Sequence, residues 1–551
     1  MTDVQNMSKI QIRAYVLQLL LPFKSSAIPR DFEVEKCIDE LSKINDSGFI
    51  ITLLLKEISG TGSVYDNVIA LILNSLCEPQ VLSKAILSLL SDSGVADTKK
   101  LFLINMLREQ GQKVDYDFIQ ACVLNPDEAI DTETKKFLEE AKLSPETQID
   151  FFDFYFTVSA DDRQMLVDSI IEDYSGDELA NILSPFAYFY PEVCVNEKII
   201  EALADSKSYF AYPALRWCSK MCRDEKLAEL ASKRLKKMQF SGLRDIKNEC
   251  QIYSGMFEGS SPYGFWFSSA DGNSNISCVF ARKKTNGAIQ TFFTVFNLEY
   301  GPVSAFGFDE ILKEDFDVIL LRFFKSSLNA RLPLECGKLL FDTLSARGWS
   351  GGHKMPYEFI CWRQLTYDIA PYSKDINLLF EENASKKNVS EDVIFKILNS
   401  DIFSSWFYEY GTLDEFDAIA DELQKADVFD IKKCEVLLKD CVCKLLGRES
   451  FKERFVEKIK YQSYILALAD MKSTSSSLYS AIFLPDVLSS MLLHIFKRSI
   501  YEYFLKRAHV SQGKDTKSVF TLKSRKKEKQ ELVDSYNFAK NAISVIEEKW
   551  T

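Results

Sequence analysis

The stretch Ser47-Gly48-Phe49-Ile50-Ile51-Thr52-Leu53-Leu54-Leu55-Lys56-Glu57-Ile58, closed by Ser59-Gly60-Thr61-Gly62, decides how the first half of the chain is read. Phe49, Ile50, Leu53, Leu54 and Ile58 recur at helical spacing and send one face of a helix into a core. After the glycine turn, Val68, Leu71, Ile72 and Leu76 repeat the pattern. The next pair follows with Leu82, Ile86, Leu89 and Leu90, then Leu101, Ile104 and Leu107. Pairs begin near Ser47, Gln80, Asp115, Glu146, Gly176 and Ser208, a period of about 30 to 35 residues. Turn signals at Ser93-Gly94, Pro126-Asp127 and Ser159 to Asp162 punctuate the run. Ser159 or Asp161 is expected to cap the helix through Tyr174. Short helix pairs cannot bury their apolar faces alone, so the pattern predicts stacking on nearest neighbours.

This periodicity, over residues 1–240, resembles the HEAT or armadillo-like helical-repeat class. The resemblance rests on spacing and turn placement, and the period is shorter than the ~40 residues of HEAT units. It implies an α-solenoid that binds partners, and it carries over no particular residue. The whole arrangement is also similar to bacterial proteins with helical repeats around a small sheet.

Composition changes at Gly242. Eight of the 21 glycines lie between Gly242 and Gly307, and β-type segments appear at Cys250–Phe257, Tyr263–Ser269, Ile276–Lys283 and Ala288–Leu298. Asn286-Gly287 predicts a type I′ hairpin turn, which needs positive φ at both central positions. Asp271-Gly272 predicts a second turn. An antiparallel sheet of four or five strands is expected, ending at Asn297 to Pro302. Beyond it, Val318, Leu321, Phe324 and Leu328 form one helix, and Leu334 to Ala346 another with Gly348 as its left-handed cap. From Glu391 the pattern is a bundle with helices at 415–426, 432–446, 451–469, 487–506 and 531–549. The expected organisation is mainly α: a solenoid over 1–240, a β domain over 241–312, a helical linker over 313–390 and a bundle over 391–551.

Net charge is −13, which opposes general nucleic-acid affinity. Thirteen cysteines without a framework spacing read as reduced thiols and point to the cytoplasm. The apolar start, where Ile10, Ala14, Leu17 and Leu21 keep helical spacing, reads as an amphipathic helix rather than an export signal. No run reaches the ~20 apolar residues of a membrane span; Leu478 to Phe496, broken by Pro485, Asp486 and His494, reads as a buried helix.

Candidate sites are few. Gly348-Trp349-Ser350-Gly351-Gly352-His353-Lys354 lacks the strand, the Gly-Lys step and the hydroxyl of a phosphate loop and reads as a connector. Cys218/Cys222 and Cys441/Cys443 lack zinc-site spacing and read as packed thiols. Three histidines leave little material for histidine chemistry. Asp150 to Glu178 holds nine carboxylates against Arg163 and reads as a solvated acidic face. Residues 497–529 hold eleven Lys or Arg against three acids, with the cluster Arg525, Lys526 and Lys527; nucleic acid is the alternative partner this segment offers. Thirteen aromatics lie between Tyr253 and Phe308. Strand alternation sends Phe265 and Phe267 to one face and Trp266 to the other, so Tyr263 and Trp266 become contact residues if the outer face is uncovered. The expectation is a non-enzymatic scaffold or adaptor whose partner is a protein, with no cofactor or metal. An enzyme with a carboxylate site near the β domain is a further alternative.

Overall fold

The computed structural model describes residues 7–550 except 26–30, 115, 142, 158, 189–196, 210, 223, 243–253, 326, 351–354, 383–385, 427 and 514–523. The protein is mainly α with one five-stranded antiparallel sheet in its middle. It divides into two compact units, residues 1–143 with 310–312, and residues 144–309 with 313–551. The composition change at Gly242 falls inside the second unit.

The first unit carries α1 (Lys9–Ser25), α2 (Asp31–Ser42), α3 (Ser47–Glu57), α4 (Val64–Leu76), α5 (Pro79–Leu90), α6 (Asp97–Glu109), α7 (Tyr116–Cys122) and α8 (Pro126–Ala141). Each helix packs on its sequence neighbour or the next but one: α1 on α3, α2 on α4, α3 on α5, α5 on α6 and α6 on α8. Ile50, Leu54, Ile72, Leu82, Ile86, Ile104 and Leu107 line one continuous core. Leu71, expected in that core, is 53% exposed instead.

The turn between α3 and α4 is organised by one carboxylate. Asp66 is fully buried and accepts hydrogen bonds from Ser59 N (2.7 Å), Ser59 Oγ (2.7 Å), Gly60 N (3.1 Å) and Thr61 N (3.0 Å). Burial opposes its charge, but the bonds from Ser59 and Thr61 prevail and hold its pKa below the usual carboxylate value. Gly60 has φ +84°, and a Cβ there would stand 2.3 Å from the Lys99 backbone, so glycine lets α6 approach the turn.

In the second unit, α9 (Pro145–Thr157), α10 (Ala160–Asp173), α11 (Gly176–Tyr188), α12 (Glu197–Asp205), α13 (Ala211–Met221) and α14 (Glu225–Phe240) precede the sheet. The Arg163 amide donates to the Ser159 carbonyl, so Ser159 rather than Asp161 holds the cap position of α10. Strands β1 (Ser260–Ser268), β2 (Asn275–Lys284), β3 (Ile289–Asn297) and β4 (Gly301–Ile311) form a meander. After α15 (Lys313–Phe323), β5 (Asn329–Leu332) joins the far side of β1, which gives the order β4-β3-β2-β1-β5. The remaining helices are α16 (Leu334–Ser350), α17 (Tyr357–Trp362), α18 (Ile376–Glu382), α19 (Glu391–Leu398), α20 (Asp414–Gln424), α21 (Ile431–Leu446), α22 (Glu449–Leu468), α23 (Lys472–Ala481), α24 (Pro485–Gly513) and α25 (Ser524–Trp550).

Alternation sorts the sheet's aromatics as expected. Phe265, Phe292 and Phe296 pack against Phe341 of α16 or Phe359 of α17, and Phe280 packs between Phe265 and Phe292. Trp266 and Phe293 face the other way, toward Phe316 and Phe323 of α15. On the first face, buried Arg282 of β2 makes a paired contact with Asp368, Nη1 to Oδ1 at 2.7 Å and Nη2 to Oδ2 at 2.8 Å, and also reaches the Leu365 carbonyl. That satisfied guanidinium ties the sheet to the segment after α17.

Several local readings are corrected. Ser254–Phe257 is a helical turn, and residues 250–253 of that expected strand lie outside the described residues. In the β2–β3 turn only Gly287 has positive φ. The Gly287 amide donates to the Lys284 carbonyl and the Lys284 amide to Ala288, which makes a three-residue loop closing on a left-handed glycine. The sheet does not end at Pro302; the chain turns at 298–300 and returns as β4. Gly348 lies within α16 and caps nothing; a Cβ there would meet Pro302 Cδ at 3.0 Å. Phe316, not Val318 or Leu321, is the buried residue of α15.

Replacing Asp66 with Ala removes the acceptor for several buried donors at once, and we expect a loss of about 2–4 kcal/mol in urea unfolding. The wild-type contribution should also fade as pH drops below the ordinary carboxylate range, because the folded pKa lies below the unfolded one.

Candidate functional site

The sheet's second face carries Trp266, Phe293, Phe306 and Phe308. Trp266 lies opposite Val279 on β2 and Arg331 on β5, and Phe316 covers it edge-on at 5.7 Å. Only 9% of Trp266 is exposed, so the uncovered face that would make it a contact residue does not exist at that position. Tyr263 is half-buried at the β1 irregularity between Pro262 and Gly264. Arg331 lies 5.1 Å from both the Tyr263 and Trp266 rings, and Lys313 Nζ is 5.8 Å from Tyr263. Gly264 leaves room for this stack, since a Cβ would meet Arg331 Nε at 2.8 Å and the Trp266 ring at 2.9 Å. Tyr263 thus keeps a part-open ring edge between two cations.

The other expected sites are dispersed. Arg525, Lys526 and Lys527 fall at the start of α25, their side chains outside the described residues together with residues 514–523. Cys218 is buried, and burial raises its thiol pKa strongly. Cys441 is buried with its thiol pushed up to about 11, while Cys443 is exposed. Residues 351–354 of the Gly348–Lys354 connector lie outside the described residues. Among the described residues no group of three His, Cys, Asp or Glu is placed to hold a metal ion.

Two polar clusters were not anticipated. At the end of β4, Asp309 accepts from Gln290 Nε2 at 2.9 Å and from the Ser144 hydroxyl, and its amide donates to Glu146 Oε2 at 3.0 Å. Burial raises the pKa of Glu146, Asp150 and Asp309, and the neighbouring carboxylates add to the effect on Glu146 and Asp150. Asp150 belongs to the acidic run noted in sequence. Glu146 lies one turn before it on α9, and Asp309 is brought to the pair from the far end of the sheet, which spacing cannot reveal.

The second cluster joins the β1–β2 turn to the C-terminal helices. Lys458 of α22 is 4% exposed, donates to the Gly272 carbonyl at 2.7 Å and lies 4.7 Å from the Trp406 ring. Around it, Trp406 Nε1 donates to Ala270 O (2.7 Å), Tyr461 Oη to Ser268 O (2.6 Å), the Gly272 amide to Ser405 O (2.7 Å) and the Ala270 amide to Gln462 Oε1 (3.0 Å). Gly272 is needed because a Cβ would overlap the Phe407 carbonyl oxygen at 1.8 Å. Burial pushes the Lys458 ammonium down to about 7, and the Asp271 charge opposes that shift only in part. A signal existed: Phe451, Phe455, Lys458, Gln462 and Ile465 share one helical face, so a lysine and a glutamine interrupt an apolar stripe.

Comparison with family models, with curated proteins and with solved structures finds no match to this chain.

The buried lysine sets a pH dependence. Its folded pKa lies below the unfolded value of 10.5, so its destabilising effect is absent above about pH 10.5 and complete once pH falls through about 7. Stability to urea should rise by about 2–4 kcal/mol between pH 7 and pH 10, and Lys458→Met should flatten most of that rise. An equal rise in both chains would contradict the assignment.

Proposed function

We propose that this protein is a non-enzymatic scaffold that binds another protein through the outer surface of its first helical unit. The reading is supported by the neighbour-to-neighbour helix packing, the pattern of stacked hairpins in HEAT-like or armadillo-like arrays. The observation that carries it is on α1. This helix buries Ile12, Val16, Leu20 and Phe23 in the unit's core. Its other apolar stripe, Ile10, Ala14, Leu17 and Leu21, faces outward, with Ile10 83% and Leu21 63% exposed.

A helix at the surface of a helical array ordinarily turns a polar face to water. A second apolar stripe there is surface awaiting cover, and burying each large residue is worth roughly 1.5–3 kcal/mol. Lys9 and Arg13 lie on the same helix, which has no carboxylate from Lys9 to Ser25, while Lys24 is already paired with Glu57 at 3.0 Å. A partner presenting apolar and acidic residues together fits that surface. No single described helix is long and apolar enough to cross a membrane. With eleven described cysteines all unpaired, the reading extends to a reducing compartment such as the cytoplasm.

Affinity isolation of the full chain should recover a protein partner whose recovery falls at least tenfold in the double substitution Ile10→Ser and Leu21→Ser. Both positions are solvent-exposed, so thermal unfolding should stay within about 0.5 kcal/mol of wild type. Undiminished recovery by the variant would remove α1 as the binding surface.

A further inference from the structure

The strand at one margin of the sheet has a free edge whose chemistry is self-complementary. β4 hydrogen-bonds to β3 on one side and, among the described residues, has no strand on the other. Its register against β3 follows from side chains on both faces. Phe306 stacks on Phe293 at 4.9 Å with rings 7° from parallel, and Gln290 donates to Asp309. The Asp309 amide points away from β3, since it donates to Glu146 Oε2. Strand alternation turns the backbone groups of Val303, Ala305 and Gly307 in the same outward direction. Apart from the sheet's own ladder, none of these three residues has a backbone hydrogen-bond partner among the described residues. Val303 is 51% and Phe306 47% exposed.

Natural edges of this length are usually guarded by lysine, by an inward charge or by a mid-strand proline. From Val303 to Phe308 the strand has none of them. An unguarded edge with outward amides is a template for strand addition.

We propose that β4 pairs with β4 of a second copy of this chain, antiparallel about Ala305, to make a continuous ten-stranded sheet across a two-fold axis. In that register Val303 faces the partner's Gly307 and Ala305 faces its own counterpart. All three outward residues meet outward residues, so the closely spaced backbone bonds form in both directions. Phe306 falls opposite Ser304, and on the other face Val303 lies beside a residue with no side chain. Charge also fits: the acidic end, Asp309, falls opposite Gly301, so no carboxylate meets another. The contact is isologous and closes on itself, which ends growth at two chains. At the Asp309 end, Glu146 already occupies the outward amide and stops the pairing there.

Sedimentation equilibrium of the full chain tests this. The weight-average mass should rise from nearly one chain near 1 µM toward two chains near 100 µM, as a weak two-strand contact with a Kd on the order of 10 µM requires. Ala305→Pro removes an outward amide at an edge position that tolerates proline, and Val303→Lys adds a guarding charge. Both variants should stay largely monomeric at 100 µM, about a hundredfold weakening, while far-UV circular dichroism and thermal unfolding match wild type. A wild-type chain that is monomeric at 100 µM overturns the proposal, whether or not another chain's strand occupies the edge. Dimers that persist in both folded variants overturn it as well. If Ala305→Pro fails to fold, Val303→Lys alone decides.

Discussion

The second unit depends on a turn that has no side chain at its tip. Gly272 brings the β1–β2 connection within hydrogen-bonding distance of Ser405, and any Cβ there would occupy the space of the Phe407 carbonyl. Once the turn is seated, four further bonds reach Ser268, Ala270 and Gly272 from Tyr461, Gln462, Trp406 and Lys458. These are backbone groups that would otherwise be buried unpaired, at roughly 1–3 kcal/mol each. The docking therefore converts a loop into a keystone between the sheet and α22. It also explains why a lysine sits in a closed apolar stripe, since its amine is the donor that completes the Gly272 carbonyl.

Packing the aromatic sheet consumes most of its chemistry. Phe265, Phe267, Phe280, Phe292 and Phe296 are fully buried, and Phe316 closes the surface over Trp266. What is left for recognition lies where the covering helices stop: the outward stripe of α1, the ring edge of Tyr263 and the bare margin of β4. All three arise because an element with two apolar or hydrogen-bonding sides has only one side satisfied. On α1 the unsatisfied side is apolar, with Ile10 and Leu21 exposed.

The sequence was a good guide to helix starts and a poor one to helix faces. Ser47, Gln80, Glu146 and Gly176 mark the beginnings of α3, α5, α9 and α11 to within a residue, because caps and glycine turns act locally. Asp46 accepts from the Phe49 amide at 3.1 Å, a bond written into four consecutive residues. In α1, however, two apolar stripes coexist, and periodicity cannot say which is buried. Ile10, Ala14, Leu17 and Leu21 form a regular helical face, yet the core takes Ile12, Val16, Leu20 and Phe23. β4 and β5 escaped for a different reason: β5 has four residues, and β4 mixes glycine with aromatics without clean alternation. The Glu146–Asp309 contact spans 163 residues and has no local trace.

Hydrogen–deuterium exchange at single-amide resolution tests the keystone most directly. If the β1–β2 turn is docked as described, the amides of Ala270 and Gly272 exchange as slowly as those in the centres of β1 and β2. Exchange of these two amides at the rate of an open surface loop, while the strands stay protected, would show that the turn is not held by α22 and the Ser405–Phe407 segment, and would contradict the account.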